Sequence, residues 1–435
     1  LVNIPASQPD RWPHLVLVTA NPIPNGGMQK FTRQLVDTLL TAHWRVTVAL
    51  SGDNIYQDPA IDEQLPLRIE TVNWLDTTMA GDRPYRWSII NARRQWFRRT
   101  GADVALFVQS SNMPFRASIV GARLAGVPVV VTQRTMPWIR DFVPSRKHCW
   151  GLISGLGLHN HKMVWRTRIA ALLANRIVYN NENVRRCYER DYRFPRRKGQ
   201  VIVNAVRPRQ EFKADEASII NQESSPVTIG YVGRLASEKR LDILLRAVAC
   251  LHIDRPLRIL IYGDGPERNK LSLLAEALGI ADHVQWMGAT DDIWSAYARM
   301  DIVCLCSPRE SSSNMVLEAM AAGKAVVVSE VGGLPELIGF GRLGVSVPPE
   351  NVEALTDALV GLLAGHEQRR ALGERAEREV TNTHDAERVG HQWLALLGEV
   401  AAHRLGRLSL GRPRAGGRVD KGAPDSADGI PANQY

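Results

Sequence analysis

Short β-rich runs alternate with longer helical stretches twice over along this chain of 435 residues. The first series is "HLVLVTA" (14–20), "RVTVAL" (45–50), "LRIETV" (67–72), "DVALFV" (103–108), "VPVVVT" (127–132), "RIVYN" (176–180) and "QVIVN" (200–204), with helical segments such as "GMQKFTRQLVDTLL" (27–40) between. A strand followed by a long helical connection and another strand calls for a parallel sheet covered by helices on both faces, which also explains why the runs are nearly continuously apolar. The polar, charged stretch "RPRQEFKADEASIINQESSP" (207–226) interrupts the pattern and reads as a linker. It then restarts with "VTIGYV" (227–232), "LRILIYG" (257–263), "HVQWM" (283–287), "DIVCLC" (301–306), "AVVVS" (325–329) and "GVSVP" (344–348). We therefore expect an α/β protein of two doubly wound domains facing a central cleft: residues 1–206, then a linker 207–226, then 227–384. Helical patterns at 351–364 and 366–380 close the second domain. The helix at about 385–403 is expected to pack back on the first domain, and the Gly-, Pro- and Arg-rich 404–435 to be a disordered basic tail.

Charge is divided unequally between the halves. Residues 1–210 hold 30 Lys and Arg against 14 Asp and Glu, whereas 211–400 hold 18 against 28. Clusters at "RRQWFRR" (93–99), "SRKHCW" (145–150), "HKMVWRTR" (161–168) and "RFPRRKG" (193–199) interleave arginine with tryptophan and suit an anionic membrane surface or a pyrophosphate-bearing ligand. No nucleic-acid recognition motif accompanies them, so nucleic acid is not an expected partner. No apolar run reaches the length of a spanning helix, and the opening "LVNIPASQPDRWPH" lacks a signal-peptide pattern. The five cysteines, Cys149, Cys187, Cys250, Cys304 and Cys306, form no CxxC pair, which suits a reducing cytoplasm. His159 and His161 in "HNH" lack a spaced third ligand, so no metal is expected.

In open parallel sheets, ligands bind where strand carboxyl ends meet helix amino termini, because free N–H groups and the helix dipole favour anions there. Three stretches carry suitable residues at such places. After the first strand, Gly26 and Gly27 let a ligand approach backbone. After the strand opening the second half, "YVGRLASEKRL" sets Arg234 and Lys239 before a helix, two cations suited to a diphosphate. An ion pair with Glu238 is the alternative for them. In "PRESSSNMVLEAMAAGKAVVVSEVGG", Ser312, Ser313 and Asn314 are N-cap residues, Met315–Ala322 a run of helix formers, and Gly323 a natural stop. Glu310 falls in the loop and Glu318 about one turn into the helix; both could edge one pocket as acceptors for sugar hydroxyls, or be solvated surface charges. "YGDGPERNKL" (262–271) reads as a tight turn, and Gly323-Lys324 lacks the rest of a P-loop.

Together, Gly26-Gly27, Gly233-Arg234-Lys239 and the E-x7-E motif "ESSSNMVLE" with "AMAAGKAVVVSEVGGLPELI" resemble the signature of retaining glycosyltransferase family 4, over roughly residues 14–400. The resemblance implies the GT-B fold, two Rossmann-like domains, and a UDP- or GDP-linked sugar as donor substrate with no cofactor. It implies Arg234 and Lys239 on the donor diphosphate, Glu310 on the transferred sugar and Glu318 on the ribose. The amides of Ser311, Ser312, Ser313, Asn314 and Met315 would reach sugar and phosphate, Met287 and Gly288 would lie by the base, and Gly26 and Gly27 by the donor phosphate. The chain departs from the family in two places. Many members carry Gly where Ser313 stands and an aromatic near Ser312, and many carry His where "VVVTQRTMP" has Arg134. Arg134 resembles the variant of members that extend lipid-linked or cell-surface oligosaccharides, and would bind an acceptor phosphate or the donor sugar. The implied activity is transfer of a sugar to a glycan or lipid-linked acceptor in cell-surface polysaccharide, lipopolysaccharide or glycolipid synthesis, at the cytoplasmic face of a membrane. The alternatives are another GT-B activity, such as a nucleotide-sugar epimerase, or a non-catalytic nucleotide-sugar-binding protein.

Overall fold

The computed structural model describes residues 12–20, 27–51, 67–72, 87–109, 115–137, 164–165, 167–207, 226–251 and 256–410. Gly26, Cys149, His159, His161, nearly all of the 207–226 linker, the basic stretch 145–150 and everything past Leu410 lie outside them.

Two parallel sheets form, one from each series of apolar runs. The first contains β1 (His14–Ala20), β2 (Arg45–Ser51), β3 (Leu67–Thr71), β4 (Val104–Gln109), β5 (Val129–Gln133), β6 (Arg176–Tyr179) and β7 (Gly199–Val201) in the order β3-β2-β1-β4-β5-β6-β7. The second contains β8 (Val227–Val232), β9 (Leu257–Tyr262), β10 (Val284–Gly288), β11 (Ile302–Leu305), β12 (Ala325–Ser329) and β13 (Val345–Val347) in the order β10-β9-β8-β11-β12-β13. In both sheets the chain winds outward in one direction and then returns to wind in the other, at β1/β4 and at β8/β11. Such switch points leave a crevice at the carboxyl ends of the strands.

The helices are α1 (Gly27–Thr41), α2 (Trp87–Thr100), α3 (Arg116–Leu124), α4 (Glu182–Asp191), α5 (Leu241–Ala249), α6 (Arg268–Ala277), α7 (Ile293–Ala298), α8 (Asn314–Ala321), α9 (Leu334–Leu337), α10 (Val352–Ala364), α11 (His366–Thr383) and α12 (Ala386–Leu410). They sandwich both sheets. One core lies between the first sheet and α2 and α3, through Phe97, Phe107 and Ile119. On the opposite face, Leu15, Leu17, Val46 and Leu106 pack with Phe31, Leu35 and Leu39 of α1 and with Val389, Trp393, Leu397 and Val400 of α12. The last helix therefore covers the first sheet, and it continues past residue 403, where the sequence suggested a tail, as far as Leu410. A third core fills the second domain.

The basic face is less uniform than the arginine clusters suggest. Arg93 is buried on the inner side of α2 together with Phe97, while Arg98 and Arg99 of the last turn are exposed. Trp87 and Trp165 lie on the surface, and the Arg168 guanidinium sits 5.2 Å from the Trp165 ring. No described helix is long and apolar enough to cross a membrane.

Candidate active site at the domain seam

The loop from β11 and the helix after it bring most of the second domain's candidates together. Ser313 has extended φ/ψ and its Oγ accepts from the Val316 N–H, so it is the N-cap and α8 begins at Asn314. Glu310 stands at the β11 carboxyl end, where its Oε1 accepts a hydrogen bond from Lys239 Nζ at 2.5 Å. Lys239 closes a short 3-10 turn, Ser237–Lys239, after β8. Tyr231 of β8 is buried; burial and the Glu310 charge raise its hydroxyl pKa, and the hydroxyl donates to the Arg234 carbonyl at 3.0 Å. Arg234 itself turns to Glu238 one turn on, with both side chains nearly half exposed. The second domain thus brings Lys239 onto Glu310, while Arg234 makes the alternative ion pair that the sequence allowed.

Glu318 is buried rather than a surface charge. Its Oε2 accepts from the Tyr297 hydroxyl at 3.1 Å, and its Oε1 from Lys30 Nζ of α1 at 2.8 Å. Lys30 belongs to the first domain, so this carboxylate is gripped from both sides of the seam. The start of α1 faces the same helix, since a Cβ built on Gly27 would meet Asn314 Nδ2 at 3.6 Å.

Several further residues of the seam escaped the sequence reading. Asn181 caps α4 through its Oδ1 and donates from Nδ2 to the Ser311 carbonyl. Ser311 Oγ donates to the Arg134 carbonyl at 2.6 Å. Glu336 accepts from the N–H groups of Glu182 and Asn183 at 2.9 Å each, completing the amino terminus of a first-domain helix with a second-domain carboxylate. Gly332 and Gly333 have no room for a side chain: a Cβ on Gly332, at φ +55, would strike the Glu310 carbonyl, and one on Gly333 the Ser311 carbonyl and Asn181. "YNNEN" and "GGLPEL" carry polar residues at a strand end and a helix start, a signal too common to single them out.

Arg134 does not reach the carboxylates. Its guanidinium lies 3.6 Å over the Phe31 ring and donates from Nη2 to Asn204 Oδ1, and burial lowers its pKa to about 9. Asn204 Nδ2 donates in turn to Asn314 Oδ1 at 2.9 Å.

Gly288 ends β10 at φ +73 and lines a cavity of about 580 Å³ with Gly263, Asp264, Arg268 and Trp286. The Arg268 guanidinium stacks 4.0 Å over Trp286. "YGDG" is more than a tight turn. A Cβ on Gly263 would meet the Gly233 carbonyl at 1.9 Å, and one on Gly265 the Leu235 carbonyl at 2.3 Å, so these glycines let the two loops press together behind Arg234. Among the described residues, no group of three or more His, Cys, Asp or Glu is placed to hold a metal ion.

Two family models divide the chain at the linker: Glycosyltransferase Family 4 matches residues 25–210, and Glycosyl transferases group 1 matches 213–379. The chain belongs to glycosyltransferase family 4. Among its relatives, this family 4 chain is 29% identical over 203 residues to N-acetyl-alpha-D-glucosaminyl L-malate synthase of Bacillus anthracis, covering 46% of this chain and 53% of that protein. It is 38% identical over 162 residues to D-inositol 3-phosphate glycosyltransferase of Corynebacterium urealyticum, covering 35% and 38%. It is 28% identical over 202 residues to the lipopolysaccharide core biosynthesis glycosyltransferase LpsE of Rhizobium meliloti, covering 46% and 58%. These matches span well under two thirds of each relative. Anabaena HepE in complex with UDP superposes with a TM-score of 0.70 at 17% identity, over 88% of this chain and 99% of that one. Sucrose-phosphate synthase of Thermosynechococcus elongatus does so with a TM-score of 0.71 at 19% identity, over 90% and 100%. What these family 4 and neighbouring chains share at such identities is the GT-B fold.

Proposed function

We propose that this chain transfers a hexosyl group, with retention of configuration and without a metal ion, from a UDP- or GDP-linked sugar to a glycan or lipid-linked acceptor. The observation that carries the reading is the placement of two carboxylates along one seam, each held by a lysine: Glu310 by Lys239 and Glu318 by Lys30. Breaking a bond between a sugar and a nucleoside diphosphate leaves a cationic sugar and an anionic leaving group. Pre-placed ammonium groups and a helix amino terminus stabilise the second, and carboxylate oxygens anchor the hydroxyls of the first. In this reading Lys239 leaves Glu310 for the diphosphate, and Arg234 swings from Glu238 to join it. Glu310 is then free for the sugar, with the amides of Ser311, Ser312, Ser313, Asn314 and Met315 beside it. Ribose hydroxyls replace Lys30 on Glu318, Gly26 and Gly27 admit the phosphate to the first domain, and the base enters the cavity at Gly288. The acceptor attacks from the face the diphosphate leaves, and the departing phosphate takes its proton, so no side chain is assigned as general base.

The donor class draws support from the neighbour HepE, solved with UDP, with UDP and glucose, and with UDP-glucose. Exposed Trp87 at the start of α2, exposed Arg98 and Arg99 in its last turn, and exposed Trp165 beside Arg168 support a peripheral seat on an anionic, cytoplasm-facing leaflet. Thermal unfolding with UDP-, GDP- and ADP-sugars identifies the donor, since a ligand of the native state raises the midpoint. Product configuration by NMR then tests retention. An inverted product, or donor turnover that needs no acceptor, would overturn the proposal. Equal, salt-independent co-sedimentation with neutral and anionic vesicles would remove its membrane part.

A further inference from the structure

Among the described residues, five other than glycine hold a left-handed backbone, and two of these, Arg240 (φ +48) and Glu350 (φ +58), are ion-paired to each other. In this region a Cβ crowds the following carbonyl, so glycine is the residue that fits without strain. Arg240 occupies a joint. It ends the short Ser237–Lys239 turn and also stands at the N-cap of α5, so its φ and ψ set the direction in which the turn meets the helix. The turn is closed by two backbone hydrogen bonds, from the Lys239 N–H to the Ala236 carbonyl at 2.9 Å and from the Arg240 N–H to the Ser237 carbonyl at 3.2 Å. Lys239, with its Nζ on Glu310, is the residue immediately before the joint.

The Arg240 side chain ties the joint down on two sides. Its Nε and Nη2 donate to the two oxygens of Asp242 at 2.9 and 3.0 Å, a fork-to-carboxylate geometry that adds direction to charge, and its Nη1 reaches Glu350. Both acceptors are anchored. Asp242 lies in the first turn of α5, whose Leu241, Leu244 and Leu245 are buried in the second-domain core. Glu350 stands two residues before α10, which buries Leu355 and Leu359 in the same core and donates from Thr356 Oγ1 to the Ala247 carbonyl of α5 at 3.2 Å. We infer that Arg240 is a positioning residue: with Asp242 and Glu350 it fixes the joint between turn and helix, and thereby aims Lys239 at the donor diphosphate. The inference rests on the role proposed above for Lys239. A glycine at 240 satisfies the backbone angles but leaves the joint free to swing, and an ammonium that swings has to be ordered anew as the departing diphosphate gains charge. Arginine gives up backbone ease for a fixed direction.

Acylation of lysines in the unliganded full chain, read residue by residue by mass spectrometry, tests the positioning without any transfer reaction. Arg240→Gly suits the backbone angles and so keeps the fold. It should raise the modification rate of Lys239 about fivefold, toward the rate in Glu310→Gln, because a joint without its clamp opens more often. Lys270 on α6, with a side chain 80% exposed, should react as in wild type. Glu350→Gln leaves Arg240 in place, weakens one of its two anchors and should give an intermediate rate. A Lys239 rate unchanged in both variants overturns the inference, whether or not the protein transfers sugar; a chain that transfers no sugar but shows the Arg240-dependent rate overturns the proposed function alone. In initial-rate kinetics Arg240→Gly should lower kcat/KM about tenfold when Lys239 is present, and by less than about twofold in a Lys239→Ala background, since a residue that acts through Lys239 then has nothing to position. Equal losses in the two backgrounds would show Arg240 acting on its own, and would also overturn the inference.

Discussion

Glu318 is a carboxylate defined by what approaches it. Tyr297 positions one oxygen from within its own domain, and Lys30 reaches the other from across the seam. Glu318→Ala is expected to lower kcat/KM by about a hundredfold, a loss of ~2.7 kcal/mol of transition-state stabilisation, with circular dichroism unchanged. Near-wild-type kinetics would remove it from the site. The pairing with Lys30 could not be read from the sequence, because 288 residues separate the partners. The spacing from Glu310 singled Glu318 out in the sequence, whereas its burial left no mark there. His384 supplies a pH dependence of a different kind. Its Nδ1 lies 2.8 Å from the Asn204 carbonyl, and desolvation depresses its pKa below the usual 6.5. The unfolded chain takes up a proton from about pH 6.5 downward while the folded one resists, so stability falls as pH drops through that window. Urea midpoints between about pH 7 and 5 should therefore decline, and His384→Gln should flatten the decline; equal slopes would exclude His384 as the source.

At the scale of elements, the strands and helices were mostly legible because the central strands, β4, β5, β11 and β12 among them, are buried on both faces and read as apolar runs. β7 is the instructive exception. "QVIVN" suggested a strand to residue 204, but it ends at Val201. The chain leaves the sheet edge there to give Asn204 to Arg134 and Asn314 and its carbonyl to His384. Contacts made across the seam outweighed β propensity, and such contacts leave no local mark. The α11 helix shows a second requirement invisible to periodicity. A Cβ on Gly373 would lie 1.9 Å from the Gly323 carbonyl, at the end of α8, so the glycine allows two helices to touch backbone to backbone. Although alanine favours helix, Gly373→Ala is expected to destabilise by about 1–3 kcal/mol in urea unfolding, because overpacking outweighs the propensity gain. A neutral or stabilising result would mean that the helices separate freely.

For the whole molecule, the two-domain plan was written in the two series of strands, but the latch between the domains was not. Its parts are Glu336 on the amino terminus of α4, Asn181 on the Ser311 carbonyl, and the Gly332-Gly333 backbone pressed between them. Glu336→Ala removes two charge-assisted hydrogen bonds without touching either core. Small-angle scattering of the unliganded protein should then give a larger radius of gyration, partly recovered when donor is added. An unchanged scattering profile would show that the latch is redundant. The returning helix has a consequence for how the chain is made. Val389, Trp393, Leu397 and Val400 complete the core that Leu15 and Leu17 begin, and everything between them in sequence includes the entire second domain. A ribosome releases that second domain before the first sheet receives its cover. Nascent chains arrested near residue 385 should be cut by protease within the first domain while the second resists, and equal resistance would argue against this order. In vectorial synthesis the domain that begins the chain is thus the last to finish folding, holding one oily face open until the stretch that seals it emerges.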